Sequence, residues 1–202
     1  MKTVILDAST LGEDMDLSVF REFGETEIRQ TIVQEEIATA LSGAEIAVVN
    51  KVKLTEEVLC ACPSLRLICV AATGYDNIDT LCCKERGIAV CNVPGYSTES
   101  VAQVTLAMAL SLVTHLSEYR SFVASGAYSA SVVANRLVPV YHDLSDMTWG
   151  MIGYGNIGRK VASVAEAIGC RTLICRKHPT GAENECDIDT ICRECDIISL
   201  HT

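Results

Sequence analysis

The chain has 202 residues, 49% of them hydrophobic, with 16 basic and 26 acidic side chains and a formal net charge of −10. This composition supports the core of one large or two small domains and excludes an intrinsically disordered chain. The acidic balance opposes the phosphate attraction on which non-specific nucleic-acid binding depends, so we expect neither nucleic acid nor an anionic membrane as a partner.

No segment is expected to cross a bilayer, because the longest nearly apolar stretch, residues 101–113, is much shorter than the roughly 20 residues of a membrane helix. The N-terminal segment lacks a signal-peptide apolar region and a small-residue cleavage site. We therefore expect a cytoplasmic protein. The eleven cysteines, an odd number without a secretory signal, indicate reduced thiols rather than structural disulfides.

The first hundred residues alternate short β-type runs with helical stretches, which is an α/β pattern of parallel strands. Strands are predicted at residues 3–7, 46–50, 67–71 and 88–92, and helices near residues 34–41, 55–62 and 79–86. Asp79 is the expected N-cap of the last helix, and Gly87 is expected to end it.

A second α/β segment follows a break at Pro94-Gly95, and we predict the domain boundary near residue 100. A helix over residues 100–122, capped by Ser97 or Thr98, is apolar on almost every face and is expected to be buried on both sides. Residues 124–145 read as an irregular excursion, and the next strand is predicted at residues 148–152.

The segment Gly153-Tyr154-Gly155-Asn156-Ile157-Gly158 matches GxGxxG between a predicted strand and a predicted helix. Its glycines allow a tight turn, backbone approach to a pyrophosphate and close packing of helix on strand. The context favours a dinucleotide site. The alternatives are a turn without a ligand and a methyltransferase loop that binds an adenosine cofactor.

A carboxylate about 20 residues beyond the glycines usually binds the adenosine ribose. Here Arg176 and Lys177 occupy that position, and His178 follows. We predict that they bind the 2′-phosphate of NADP, with NAD as the alternative cofactor. A solvated pair of charges at a strand end is the other explanation for these two residues.

Three segments, residues 69–79, 92–103 and 149–158, together resemble the D-isomer-specific 2-hydroxyacid dehydrogenase family along the whole chain. The sequence GYST followed by VAQ resembles the glycerate dehydrogenase and hydroxypyruvate reductase branch. The resemblance implies a flavodoxin-like substrate domain over residues 1–100 and the first part of a Rossmann dinucleotide-binding domain over residues 101–202, both with parallel sheets.

The resemblance also implies site residues. Ala72, Thr73 and Gly74 match the loop that holds the substrate carboxylate through backbone N–H groups, and Thr73 also reaches the cofactor. Asn50 borders the substrate. The implied cofactor contacts are completed by Gly153, Gly155, Asn156, Ile157, Gly158, Arg176, Lys177, His201 and Thr202. The implied ligands are a small 2-keto or 2-hydroxy acid and NADP or NAD, and the implied assembly is a homodimer.

No catalytic residue is assigned, because the family's catalytic Arg, Glu and His lie beyond the position of Thr202. We therefore expect the 202-residue chain alone to be inactive, with an unpaired edge on its first Rossmann strand. No carboxylate near His201 in sequence would orient that ring for acid–base work. Cys192 and Cys195 have metal-ligand spacing but lack a second ligand pair, so no metal is expected. The alternative function is a non-catalytic dinucleotide sensor of the same superfamily.

Overall fold

The computed structural model describes residues 1–133 and 135–202 and divides into two compact units, Met1–Tyr96 and Ser97–Thr202. Each unit is an α/β structure built on one parallel sheet. The predicted fold class, α/β with parallel sheets, is therefore confirmed.

The N-terminal unit contains five parallel strands in the order β2-β1-β3-β4-β5. This is the flavodoxin-like order, in which ligands bind beyond the carboxyl ends of the strands. The strands are β1 (Lys2–Ile5), β2 (Glu25–Ile28), β3 (Ile46–Val49), β4 (Leu67–Val70) and β5 (Ala89–Cys91).

Short helices flank this sheet: α1 (Ile37–Ala40), α2 (Glu56–Ala61) and α3 (Thr80–Glu85), with 3-10 turns at Ala8–Thr10, Leu17–Phe23 and Gln34–Glu36. Asp79 caps α3 as predicted, since its carboxylate accepts the N–H of Cys82 at 2.9 Å. Val4, Ile68 and Leu59 are fully buried between sheet and helices, and burial of such side chains is worth about 1.5–3 kcal/mol each.

The C-terminal unit has a three-stranded parallel sheet in the order β7-β6-β8. Its strands are β6 (Thr148–Ile152), β7 (Arg171–Cys175) and β8 (Ile197–Leu200). Its helices are α4 (Thr98–Val113), α5 (Leu116–Ala124), α6 (Ala127–Ala130), α7 (Asn156–Ala167) and α8 (Ile188–Glu194), and a 3-10 turn covers Leu144–Asp146. Trp149, Met151 and Val161 are fully buried in its core.

The prediction of one long helix over residues 100–122 is wrong. The chain bends by 69° between α4 and α5, where His115 takes a left-handed conformation with φ of 51°. The predicted burial on both sides is also wrong, because within this unit α4 is covered on the face that packs on α7. Ala102 and Ala109 are buried there, whereas 77% of Leu112 is exposed.

Two further expectations need correction. The first Rossmann strand, β6, has no unpaired edge, because β7 and β8 pair with it on opposite sides. Ser97 occupies the N-cap position of α4, but its side chain makes no capping hydrogen bond. Among the described residues no single helix is long and apolar enough to cross a membrane; α4 and α5 would reach that length only together, across their bend.

Candidate functional site

The glycine-rich turn joins β6 to α7 by very close backbone contacts. Gly153 has φ of 94°, and its N–H donates to the carbonyl of Cys175 at 2.8 Å. A Cβ atom on Gly153 would overlap the carbonyl oxygen of His201, and one on Gly158 would overlap that of Gly153. Both positions therefore require glycine for packing alone.

Gly155 differs from these two glycines. It is the N-cap of α7, and a Cβ atom added to it would meet nothing within 4 Å. The first N–H groups of a helix have no partner within the helix and attract anions. The space at Gly155 is open, and Asn156 and Ile157 follow it in the first turn of α7. A pyrophosphate would need such open space beside the free N–H groups of the helix.

The end of β8 brings His201 and Thr202 beside this turn, since the N–H of His201 donates to the carbonyl of Ile152 at 2.7 Å. The His201 ring is held by Ser199, whose Oγ lies 2.9 Å from Nε2 and also accepts the indole N–H of Trp149 at 2.9 Å. Burial lowers the pKa of His201 from its ordinary value, which favours the neutral ring. Among the described residues no carboxylate bonds to this ring.

A cavity of about 440 Å³ opens between the ends of β6 and β7, within the usual size range of ligand sites. It brings together four residues predicted from sequence, Gly153, Arg176, Lys177 and Thr202, and its other lining residues are Ile152, Tyr154 and Cys175.

Sequence reasoning did not single out Tyr154, although it is the first variable position of the glycine motif. Its ring lies near two cations: the guanidinium carbons of Arg159 and Arg176 are 5.1 and 5.8 Å from the ring centroid. Such cation–π contacts are attractive within about 6 Å. The aromatic ring therefore helps to gather positive charge at one wall of the cavity.

Sequence reasoning also missed Glu185, which pairs with Arg176. Their side chains approach to 3.2 Å and are 23% (Arg176) and 8% (Glu185) exposed. Burial alone would raise the pKa of Glu185, but hydrogen bonds from Thr180 and Gly181 and the charge of Arg176 outweigh it and lower the pKa to about 2. Glu185 is therefore ionised throughout the neutral range, and its partner Arg176 is not a freely solvated cation.

In the N-terminal unit the predicted substrate residues follow the ends of β3 and β4. The Asn50 loop is shaped by Asp7, which is 5% exposed and accepts the backbone N–H groups of Asn50 (2.9 Å), Lys51 (2.6 Å) and Val52 (3.2 Å). The Asn50 side chain donates to the Thr10 hydroxyl at 2.9 Å. Asp7 is thus a buried anchor for the loop, and sequence reasoning had assigned it no role.

The loop of Ala72, Thr73 and Gly74 is fixed by hydrogen bonds to the segment after β5. The Thr73 hydroxyl donates to the carbonyl of Val93 at 3.1 Å, and the Asn92 side chain donates to the carbonyl of Thr73 at 2.7 Å. The backbone N–H groups of Ala72, Thr73 and Gly74 donate to no acceptor in the described part of the chain. A loop held in this way offers unpaired N–H groups to an anion.

No group of three or more metal-ligating side chains occurs within residues 1–133 and 135–202. Cys192 lies in α8, and Cys195 ends that helix. All eleven cysteines belong to the described residues and are free thiols.

The C-terminal unit has a parallel sheet with a glycine-rich turn leading into a helix, beside a cavity lined by cations, which is the arrangement typical of nucleotide-binding α/β structures. Residues 4–189 match the family described as D-isomer specific 2-hydroxyacid dehydrogenase, catalytic domain, and the chain belongs to this family. The family resemblance found in the sequence is confirmed.

Two curated relatives that cover nearly the whole chain carry the names of the predicted branch. The chain is 31% identical to the hydroxypyruvate reductase of Blautia hydrogenotrophica, with 100% of this chain and 65% of that protein covered. It is 34% identical to the glycerate dehydrogenase of Methylorubrum extorquens, with 99% and 63% covered. The chain thus spans just under two thirds of the length of these relatives.

Solved structures show the same architecture. An acyclic imino acid reductase in complex with NADPH and D-Arg superposes with a TM-score of 0.85 at 26% identity, covering 100% of this chain and 65% of that one. The D-lactate dehydrogenase of Aquifex aeolicus, complexed with NAD and lactic acid, gives 0.78 at 29% identity, covering 100% and 60%. One neighbour is therefore described with NADPH and the other with NAD.

Proposed function

We propose that this chain provides the cofactor- and substrate-binding parts of a nicotinamide-dependent oxidoreductase acting on a small D-2-hydroxy acid or the matching 2-keto acid. The observation that carries the proposal is the glycine-rich turn with open space at Gly155, next to the cavity of Arg176 and Lys177. Family membership and the names of the relatives support the same class of reaction.

The cofactor fits the C-terminal unit by chemistry and by space. The N–H groups at the start of α7, with Asn156 and Ile157, would hold the pyrophosphate, and Gly155 leaves room for it. Arg176 and Lys177 would face the adenosine ribose, and His201 and Thr202 would border the bound molecule. The nicotinamide ring supplies hydride transfer when bound. By family resemblance Thr73 is proposed as a further cofactor contact.

The substrate carboxylate is assigned to the free N–H groups of Ala72, Thr73 and Gly74. Two or three neutral donors on a fixed loop bind an anion without the flexibility of a long cationic side chain. Asn50, on the loop held by Asp7, borders the same ligand. The proposed substrates are hydroxypyruvate and glyoxylate, in agreement with the names of the relatives.

We expect NADPH to be preferred over NADH because Arg176 can bind a 2′-phosphate by charge-assisted hydrogen bonds. Each such bond is worth about 1.5–3 kcal/mol, or roughly 10-fold to 150-fold in affinity. Titration of the chain with both cofactors, before and after Arg176→Asp, tests this preference. Equal affinities in the unmodified protein, or an unchanged ratio in the variant, would remove Arg176 as the selector, and NAD would become the favoured cofactor.

We expect the 202-residue chain to bind cofactor without turnover, because the ring of His201 is bonded to Ser199 and to no carboxylate among the described residues. Incubation with NADPH and hydroxypyruvate should cause no loss of absorbance above background. Turnover that Ser199→Ala preserves and His201→Ala abolishes would show that His201 is the acid–base residue.

The second candidate is a non-catalytic dinucleotide sensor, with which the bonding of His201 to Ser199, and to no carboxylate among the described residues, also agrees. An Arg, a Glu and a His at family positions in the sequence that follows Thr202 in the parent gene would exclude the sensor. Their absence would exclude the enzyme.

A homodimer is proposed through α4. Three of its apolar side chains, Val104, Met108 and Leu112, are 55%, 58% and 77% exposed, and exposed apolar surface of this kind marks association sites. Light scattering should give twice the monomer mass, and Leu112→Asp should reduce it to the monomer mass. A monomeric unmodified chain would refute the assignment.

A further inference from the structure

Glu185 is fixed beside β7, the strand that Arg176 directly follows. It forms a parallel bridge with Ile174, in which the Ile174 N–H donates to the Asn184 carbonyl and the Cys186 N–H donates to the Ile174 carbonyl, both at 2.9 Å. The loop after Arg176 therefore returns to its own strand. Glu185 thus pairs with Ile174, two positions before Arg176, although nine positions separate Glu185 from Arg176 in sequence.

The carboxylate of Glu185 has no acceptor capacity left for a ligand. Its Oε1 accepts from Arg176 Nη1 (3.2 Å) and the Thr180 hydroxyl (2.8 Å), and its Oε2 accepts the N–H groups of Thr180 (2.6 Å) and Gly181 (2.9 Å). A carboxylate offers about four acceptor sites, and four donors occupy them. Glu185 thus cannot accept the ribose hydroxyls in the way of the acid that usually ends the second Rossmann strand.

Arg176, in contrast, has donors to spare. A guanidinium has five N–H groups, and the hydrogen bond to Glu185 is the one that Arg176 makes among the described residues. The guanidinium carbon lies 5.8 Å from the Tyr154 ring centroid, and the side chain lines the 440 Å³ cavity with Lys177. The side chain is therefore held at one corner of the cavity lining, while its other N–H groups make no hydrogen bond among the described residues.

From this geometry we propose that Glu185 is a positioning residue for the 2′-phosphate of NADPH: it holds the Arg176 guanidinium in the arrangement that binds the phosphate, while the Thr180–Gly181 turn holds Glu185. This inference rests on the proposed function, in which Arg176 is the phosphate ligand. Glu185 acts through Arg176 and makes no contact with the phosphate itself.

Positioning and simple electrostatics predict opposite results when Glu185 is removed. An acid near a phosphate repels it, so electrostatics alone predicts tighter binding in Glu185→Ala. Positioning predicts weaker binding, because an unrestrained arginine loses side-chain freedom on binding. That freedom is worth up to about 2 kcal/mol, which converts to about 30-fold in affinity.

The test is calorimetric titration of the purified chain with 2′-AMP and with 5′-AMP. For Glu185→Ala we expect 2′-AMP to bind about 5-fold to 30-fold more weakly and 5′-AMP to change less than about twofold. Glu183→Ala is the matched control: it removes an exposed acid from the same loop that makes no hydrogen bond or ion pair among the described residues. We expect this control to leave the ratio of the two affinities within about twofold.

A double-mutant cycle separates positioning from a general loss of structure. In an Arg176→Ala background, Glu185→Ala should leave 2′-AMP binding unchanged, because the residue through which Glu185 acts is absent. Glu185→Gln, which preserves the size of the side chain, provides the same comparison if the alanine variant does not fold, and it should weaken 2′-AMP binding by a smaller factor.

Tighter 2′-AMP binding in Glu185→Ala, equal weakening of both nucleotides, or an undiminished effect in the Arg176→Ala background would each overturn the positioning role. If the unmodified chain binds 2′-AMP no better than 5′-AMP, the phosphate site of the proposed function fails, and the positioning role with it. A preference for 2′-AMP that Glu185→Ala does not alter refutes positioning and leaves the proposed function intact.

Discussion

Replacing Gly158 by alanine tests the close approach of α7 to the glycine-rich turn. The new Cβ atom would overlap the carbonyl oxygen of Gly153 and lie 3.2 Å from its carbonyl carbon and 3.5 Å from Cδ2 of His201. The nearest atoms are backbone atoms, held by the hydrogen bond from Gly153 to Cys175, so they cannot rotate away. We expect the upper part of the usual overpacking cost, about 2–3 kcal/mol.

For a domain the size of the C-terminal unit, Ser97–Thr202, each kcal/mol of lost unfolding free energy lowers Tm by roughly 4–8 °C. Gly158→Ala should therefore lower the Tm of this unit by about 10–20 °C. The fluorescence of Trp149 is a specific probe of this unit, because Trp149 is the only tryptophan of the chain. Its side chain is fully buried on β6, the strand that leads into the turn. Its emission should shift to longer wavelength as the C-terminal unit unfolds.

Gly155→Ala is the matched control, since its Cβ atom meets nothing within 4 Å and its φ of −80° suits any residue. We expect a change in Tm of less than about 2 °C together with loss of NADPH binding, because the methyl group occupies the space assigned to the pyrophosphate. Normal stability of Gly158→Ala would refute the close backbone approach at this turn. Normal NADPH binding by Gly155→Ala would refute the position proposed for the pyrophosphate.

Three buried or half-buried polar side chains, Asp7, Ser199 and Glu185, can be tested in the same way. Asp7→Ala should lower the unfolding free energy of the N-terminal unit by about 1–3 kcal/mol in urea followed by circular dichroism, because three N–H groups lose their acceptor. Ser199→Ala should cost the C-terminal unit a similar amount, measured by Trp149 emission, because the indole N–H is left without an acceptor. The pKa of Glu185 falls on folding from 4.5 to about 2, so its stabilising contribution is complete above about pH 4.5 and declines toward pH 2; in acid titrations Glu185→Gln should lose this component, and an identical acid profile would contradict the assignment.

The sequence predicts most of the sheet because its signals there are local. The buried runs of β1, β3 and β4 are apolar, and the glycine motif needs no distant partner to be recognised. Strand β2 was not predicted, because its sequence ETEI alternates charged residues at a sheet edge and its side chains remain partly exposed. The apolar composition of α4 indicated burial, but how much of a helix is covered depends on tertiary neighbours that composition does not specify.

The candidate site also contains both residues that the sequence predicts and residues that it does not predict. Gly153, Gly155 and Gly158 are recognisable from spacing, since their roles depend on backbone geometry within one turn. The roles of Asp7 and Glu185 depend on contacts between segments that are separated in sequence. Asp7 accepts hydrogen bonds from N–H groups more than 40 positions away, and Glu185 contacts Arg176 across the Thr180–Gly181 turn. An isolated acid gives no sequence signal that separates a buried anchor from a solvated surface charge.

A chain with a net charge of −10 needs a local solution to bind two anionic groups. In the N-terminal unit the proposed solution is a set of neutral N–H groups on the Ala72–Gly74 loop, while the charge of Asp7 is satisfied by other N–H groups. In the C-terminal unit the cation Arg176 is already paired with Glu185, so Arg176 itself adds little net positive charge at that wall. The contribution of Arg176 to phosphate affinity must then come from the fixed direction of its remaining guanidinium donors, whereas Lys177 adds charge without that direction.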